Sequence, residues 1–559
     1  MLHRLSLVQQ TGFLFLILAV LFGFGLGDRP ISAPSEARYA EIGREMAATN
    51  DFVTPRLNTV KYFEKPPLFY WVQAGAIKAF GLSEFVLRLP TALFGIFIVL
   101  ITYLMAYRLY GQIPALWTAA VQGTCILGFA LSRVILLDIP VSFFLLATLF
   151  SFIAAIEEPK GRRRDIYLFL MYTAAAGAVL TKGLIGIVIP GAVIFLWLAL
   201  TKQWRLLLEL RLFSGILWFL LLAAPWHILV SLRNPEFPWF YFVHEHFLRF
   251  TTKIHGRYEP WWFFIPVLIL GFWPWMLLAG AAVANYAKGA WKSKIDLLLL
   301  LWVGFIFFFF SYSDSKLIPY IFPVFPVISL FTGRYLAEVW EGKHQKTFRR
   351  CAAISWWLLL LLLAISIQAF DSIIDHKIGG KLGAALEDAH DEVITFAFIL
   401  LGSVLLLGYV ILKKSSRAII NTIAIIAIAC LIFGDQIADH HKEGSIRYLA
   451  KVIQEKGSPD DEVINWHYYN QDLPVYLKRR ITIVDWRGEL AYGAENEPEY
   501  TKQFMIDDAE FWRRWQGKKR VFVIMRSDAY APEMAPKNKP FIKLLETAKF
   551  ILVTNQPLS

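Results

Sequence analysis

The stretch Tyr62-Phe-Glu-Lys-Pro-Pro67 sets an acid beside a base in front of a double proline. Proline has no N–H and holds the residue before it extended, so no helix runs through Glu64 and Lys65. Two charges on a stiff segment cannot move far. There Lys65 is a point charge able to hold a phosphate, and Glu64 can bind a metal ion or a sugar hydroxyl. The structural alternative is an ion pair with a neighbour. The stretch Phe-Val-His-Glu-His-Phe-Leu-Arg-Phe, 242–250, adds His244, His246 and Arg249. Arg249 suits bidentate binding of a phosphate. Glu64, His244 and His246 together make a candidate open divalent site (zinc or magnesium), although a structural zinc site takes four ligands.

Further charges stand alone in apolar surroundings. Asp138 closes "SRVILLDIP", "LTKGLIGIVIPG" carries Lys182, and "SDSKLIPY" carries Lys316 and Tyr320. Ionisable groups at membrane depth are costly and are seldom there without a function. Each has a structural reading too: Asp138 can cap the helix before Pro140, and Lys316 can snorkel. The Lys182 stretch can be a packing motif whose glycines let helices approach. In "SEARYAEIGREM", Glu36, Glu41, Arg44 and Glu45 fit an amphipathic helix with Tyr39, Ile42 and Met46 turned to membrane or protein. Glu36 stands at its start.

The elements that must position these residues are apolar. Of 559 residues, 57% are hydrophobic and 18% charged, against about half and a quarter in a soluble domain. Apolar segments near 20 residues fall at 11–27, 86–107, 113–131, 139–156, 166–181, 184–200, 211–230, 262–283, 295–311, 317–338, 352–370, 394–412 and 417–434. That is thirteen, the first read as an uncleaved helix rather than a signal peptide. The short segment Pro67–Phe80 reads as a juxtamembrane helix. The three cysteines imply no disulfide framework. Residues 1–435 thus form a membrane domain with an outer loop at 28–85, and 436–559 a second domain. In that second part, "EVINWHYYNQDLPVYLKRRITIVDW" alternates polar with apolar and "KKRVFVIM" reads as a buried strand, as in a small α/β domain.

The net charge of +12 does not mark a nucleic-acid binder, because the basic residues sit in short loops between spans. Clusters at 160–164, 202–211, 288–294, 343–350 and 413–417 occupy alternate connections. Short cytoplasmic loops collect Lys and Arg. All five lie on one side only if the N-terminus is cytoplasmic, which puts the C-terminus outside. Lys65, Arg249, Lys316 and Lys182 then lie on the outer side, against that trend. Cations kept there call for an anionic ligand, and a lipid-linked phosphate fits.

"SEARYAEIGREM", "YFEKPPLFYW", "LLDIP", "LTKG" and "SKLIPY" resemble, in order, the motifs of the aminoarabinose lipid A transferases. These are polyprenyl-phosphate-sugar-dependent GT-C glycosyltransferases related to protein mannosyltransferases. The resemblance implies a GT-C fold of about thirteen transmembrane helices with a C-terminal periplasmic α/β domain. It implies an inner-membrane enzyme that moves 4-amino-4-deoxy-L-arabinose from undecaprenyl phosphate to lipid A with inversion. Lys65, Arg249, Lys316, Tyr320 and Lys182 would hold the donor phosphate. Glu64, with His244 or His246, would stand near it through a divalent ion, and Asp138 and Glu36 would line the reaction centre. One departure is Ser35 where the family commonly has Asp. A hydroxyl acceptor needs a base, worth about 10²–10⁴-fold in rate, whereas a phosphate acceptor is already anionic. Transfer of another sugar, transfer to a protein hydroxyl, and transport of a lipid or sugar are the rival readings. Transporters often show internal repeats and helices broken near the midplane, and neither is evident in this sequence.

Overall fold

The computed structural model describes residues 5–248, 258–374, 390–440, 445–529, 541–547 and 549–557. Its helices begin with α1 (Leu7–Gly23), α2 (Ser35–Thr49), α3 (Leu68–Phe80), α4 (Glu84–Tyr110) and α5 (Gln112–Thr124). There follow α6 (Ile126–Ser132), α7 (Asp138–Glu157), α8 (Arg162–Lys182), α9 (Ile185–Thr201) and α10 (Leu212–Arg233). Each of the thirteen apolar segments coincides with a helix or a bent pair of helices.

Among the described residues, eight helices are long and apolar enough to cross a membrane, or up to ten if each bent pair is one span. Those pairs are α5 with α6, bent by 61°, and Phe264–Gly271 with Met276–Ala287, bent by 111°. The helices α1 and α9 are apolar but shorter. The thirteenth, α8, opens on Arg162, Arg163 and Arg164.

Burial sorts the helices by depth in the bundle. Ile318–Trp340 is 89% buried over its apolar window and α7 72%, whereas α10 is 22% buried and Gln345–Gln368 17%. The first two form the centre of the bundle. The last two show leucine, phenylalanine and tryptophan to lipid, which is affordable only where the solvent is hydrocarbon.

Local chemistry sets the helix ends that matter for the site. Gly183 ends α8 at φ +94°, a conformation in which a Cβ would be strained. Three residues on, a Cβ at Gly186 would lie 2.6 Å from the backbone nitrogen of Val179. Hence α8 and α9 turn tightly, and Lys182 is held at the corner. Pro66 and Pro67 keep 62–67 out of any helix, and α3 starts at Leu68.

The outer segments gather at one end of the bundle. The C-terminal domain carries a six-stranded sheet. Strands β3 (Glu462–Trp466), β4 (Thr482–Val484), β5 (Met505–Ile506) and β6 (Val521–Arg526) run parallel, with β7 (Ile542–Glu546) and β8 (Phe550–Thr554) antiparallel, in the order 5-4-3-6-8-7. In the first loop, the two-residue strands β1 (Arg56–Leu57) and β2 (Val60–Lys61) make a hairpin. Asn58 at its tip, fully buried, bonds both the carbonyl and the N–H of Ile481 at 3.0 Å. Arg56 pairs with Glu497, and α2 packs against the helix Asp472–Leu477. First loop and C-terminal domain share one buried apolar cluster.

That packing turns the apolar face of α2 to protein, and it buries part of the charged face as well. Ile42 and Met46 are buried against protein, and so are Glu41 and Glu45. Arg44 binds Glu41 through two hydrogen bonds of 2.7 and 2.6 Å. Thr59 donates its backbone N–H to Glu45. Burial, and then each other's negative charge, hold the Glu45 carboxyl well above the usual carboxylate range.

Candidate functional site

Charges meet where α7 begins and α8 ends. Asp138 lies in the first turn of α7 and does not cap it: no side chain bonds that helix start. Its carboxylate accepts from Lys182 Nζ at 2.5 Å. The same ammonium stands 4.8 Å from the centroid of the Tyr320 ring, a cation–π contact. Tyr320 is supplied by the 3₁₀ turn 318–324 that leads into Phe325–Trp340. The tight glycine corner of "LTKG" lets α8 and α9 pack closely and holds Lys182 against Asp138.

Lys65 closes the other side. Its ammonium donates to the Glu64 carbonyl at 2.7 Å and reaches Glu245 Oε2 at 3.5 Å. Glu245 comes from a π-helical stretch, Trp239–Leu248, a local irregularity found often at functional sites. Asp138, Lys182, Lys65, Glu245, Tyr320 and Ser142 line one cavity of about 180 Å³. Most of its remaining wall is apolar, with Leu145, Ile189, Phe309 and Phe310, and Ser313 and Ser315 add hydroxyls. A polar rim over an apolar floor suits a ligand that joins a charged head to a hydrocarbon tail.

The other expected residues divide. Glu36 does not line this cavity. It is 3% exposed, and Arg88 donates to both its oxygens at 2.7 and 2.9 Å. The backbone N–H groups of Ser32 and Ile135 donate to it as well. A carboxylate so occupied is a structural anchor. Lys316 is 4% exposed, donates to the Glu259 carbonyl at 2.7 Å, and is absent from the cavity wall. That bond straps 258–259 to 314–315, where Tyr258 and Ser315 form a β-bridge. Arg249 and the side chain of His246 lie outside the described residues.

Of the three candidate metal ligands Glu64, His244 and His246, the last has its side chain outside the described residues. His244 faces Glu245 at 3.4 Å and stacks on Phe240 with ring centroids 5.0 Å apart. Among the described residues the group of three that could hold an ion is His467, Asp485 and Asp508, in the C-terminal domain. No step below is routed through a metal.

Sequence reasoning missed a set of aromatic neighbours. Tyr39 was placed toward membrane or protein. Burial raises its phenol, Arg38 opposes that, and the carboxylates of Asp138 and Glu64 add to the rise. Tyr62 is likewise raised by burial and then by Glu64. Both phenols are therefore neutral, and both feel the negative charge of Glu64. Tyrosines inside both conspicuous motifs were the available signal.

The chain resembles known proteins over its whole length. Residues 32–241 match the family described as dolichyl-phosphate-mannose-protein mannosyltransferase, and 449–555 match the aminoarabinose transferase C-terminal domain. An undecaprenyl phosphate-α-4-amino-4-deoxy-L-arabinose arabinosyl transferase of Aeromonas hydrophila is 32% identical over 70% of this chain and 70% of that protein. One from Proteus mirabilis is 29% identical over 88% of this chain and 87% of its own. The crystal structure of ArnT from Cupriavidus metallidurans bound to undecaprenyl phosphate superposes with a TM-score of 0.84, at 26% identity and 99% coverage of both chains. An archaeal oligosaccharyltransferase shares the fold, with a TM-score of 0.51 and 13% identity. The chain is a multi-pass membrane glycosyltransferase, and it belongs to the undecaprenyl phosphate-α-4-amino-4-deoxy-L-arabinose arabinosyl transferase family.

Proposed function

We propose that this enzyme moves 4-amino-4-deoxy-L-arabinose from undecaprenyl phosphate to a phosphate of lipid A. The reaction takes place at the periplasmic face of the inner membrane, with the N-terminus cytoplasmic and the C-terminus periplasmic. The observation that carries this reading is the cavity that brings Lys65, Lys182 and Tyr320 together above an apolar floor. The relatives' names supply the sugar and the carrier.

The chemistry follows from the charges. An oxygen of the acceptor phosphate attacks C1 of the sugar as the bond from C1 to the carrier's phosphate oxygen breaks. The electron pair leaves with undecaprenyl phosphate, which gains negative charge. Cations placed beside that charge stabilise the transition state more than the ground state. Lys65 is suited to this, because its pair with Glu245 is long at 3.5 Å and a phosphate can compete for it. Lys182 is held by Asp138 at 2.5 Å and keeps its place on the wall. The acceptor phosphate has no proton to lose. Ser35, exposed at the start of α2, therefore costs the reaction no base.

Mass spectrometry of lipid A from cells with and without the gene tests this reading. The expected result is one added pentosamine on a phosphate, present only with the gene. An added hexose or hexosamine, or unchanged lipid A beside a newly glycosylated protein, would overturn the sugar or the acceptor.

A further inference from the structure

The wall of the reaction cavity that carries Glu245 is reached from the C-terminal domain. The chain leaves α10 at Arg233 and enters the π-helical stretch at Trp239, and the aromatic side chains there divide between two neighbours. Phe237 and Tyr241 pack on α10, their ring centroids 5.3 Å from Trp226 and 5.7 Å from His227. Phe240 packs on Tyr492 of the C-terminal domain, the two rings stacked at 3.9 Å with 21° between their planes. His244 stacks on the same phenylalanine at 5.0 Å. The rings of Tyr492, Phe240 and His244 are thus stacked in series, and the next residue, Glu245, faces Lys65.

The same tyrosine is tied to the chain that leads to Lys65. Its hydroxyl donates to the Glu236 carbonyl at 2.9 Å, and the Glu236 carboxylate holds Lys61 Nζ at 2.8 Å. Lys61 ends β2, and Lys65 follows in the proline-stiffened segment. Gly493, beside the tyrosine, approaches that strand so closely that a Cβ there would lie 2.2 Å from the Lys61 carbonyl oxygen. The short helix Ala491–Asn496 therefore touches both the chain that leads to Lys65 and the chain that leads to Glu245. Attachment of the domain does not depend on this contact, since Asn58 and Ile481, and the shared apolar cluster, already join it to the first loop.

We propose that Tyr492 is a positioning residue for transfer: through Phe240 and Glu236 it fixes the wall that faces Lys65, so that the ammonium meets the departing phosphate. The proposal rests on the reading of Lys65 as the cation for that phosphate. Tyr492 is not among the residues that line the cavity, so it acts through others. Holding a reacting geometry is worth much in rate, because a displacement of about 1 Å can cost about 10²-fold.

The test is a double-mutant cycle in full-length enzyme purified in detergent, assayed for transfer from the undecaprenyl-phosphate-linked sugar. Tyr492→Ala should lower kcat by about tenfold or more, and Tyr492→Phe, which keeps the stacked ring, should retain most of the rate. In the Lys65→Ala background, Tyr492→Ala should cost little more, since there is no ammonium left to place. A loss of folded enzyme would instead lower both backgrounds by the same factor. Hydrogen exchange of the same proteins gives a readout apart from activity: Tyr492→Ala should speed exchange of the amides of 236–245 and leave those of 472–477 unchanged. Equal factors in the two backgrounds, a wild-type rate in Tyr492→Ala, or Tyr492→Phe as poor as Tyr492→Ala would overturn the proposal. Unchanged exchange at 236–245 would overturn it too. Near-normal transfer by Lys65→Ala would sink the reading of Lys65 itself, whereas unchanged exchange would sink the role of Tyr492, so the two failures are told apart.

Discussion

Two acid–base pairs, one buried and one half-buried, flank the connector 134–138, and they differ in how many bonds remain to be made. Glu36 and Arg88 are saturated: both carboxylate oxygens and the guanidinium are fully bonded to each other and to backbone. Asp138 and Lys182 are joined by a single contact and open onto a cavity that also contains Lys65 and Glu245. Both look alike in sequence, as a charge where an apolar segment meets the outer surface. The saturated pair fixes the first loop to α4. The unsaturated one has capacity left for a substrate, and that capacity marks the site.

The contrast can be broken in order of expected effect. Arg88→Ala leaves Glu36 as a buried charge without a partner and should cost about 3–5 kcal/mol of stability. It should appear as a large fall in melting temperature and in the amount of folded protein; a stable, fully active variant would refute the anchoring role. Lys65→Ala should leave the melting temperature within a few degrees and cut transfer by about 10²–10³-fold, as for loss of one oxyanion donor. Transfer from undecaprenyl-phosphate-linked sugar, assayed in detergent, measures it. Near-normal rates would move the donor phosphate elsewhere.

Asp472 gives a sharper comparison between loop and domain. Its carboxyl rises from 3.8 to about 7 on folding. Between those values the folded protein holds a proton that the unfolded chain has released. Its contribution to stability is therefore complete below pH 4, declines as pH rises to 7, and is lost above. Asp472→Asn has no such group. The melting temperature of wild type relative to this variant should drop from pH 4 to 7 by at least roughly 2–4 °C, the equivalent of about 1 kcal/mol. A constant difference would show that the carboxyl is already ionised. The smallest effect is expected from Glu245→Gln, which frees Lys65 from a 3.5 Å pair. It should lower KM for the donor less than about tenfold, since so long a pair is weak; a raised KM would make Glu245 a substrate ligand.

How far the sequence could be read depended on the range of the forces involved. The thirteen apolar segments were legible because spanning a bilayer is a one-dimensional constraint on length and hydropathy. The 61° kink between α5 and α6 was not, since no proline stands at the break to announce it. Asp138, Lys65 and Lys182 were legible as charges in costly places. Nothing in their spacing told that Lys182 meets Asp138 or that Lys65 meets Glu245, which is 180 residues away. Glu36 and Lys316 met the same criterion as Asp138. Tertiary packing gave their bonds to Arg88 and to a backbone carbonyl instead.

The sequence by itself determined that this chain crosses a membrane many times, which of its loops are basic, and which stiff proline segment holds Lys65. It did so because hydropathy, local charge and backbone covalency act between near neighbours. Only the tertiary structure decided which charges are spent and which still face a cavity. Three of the four hydrogen bonds that saturate Glu36 come from Arg88 and Ile135, 52 and 99 residues away, and the count of those bonds exists only once the helices have packed.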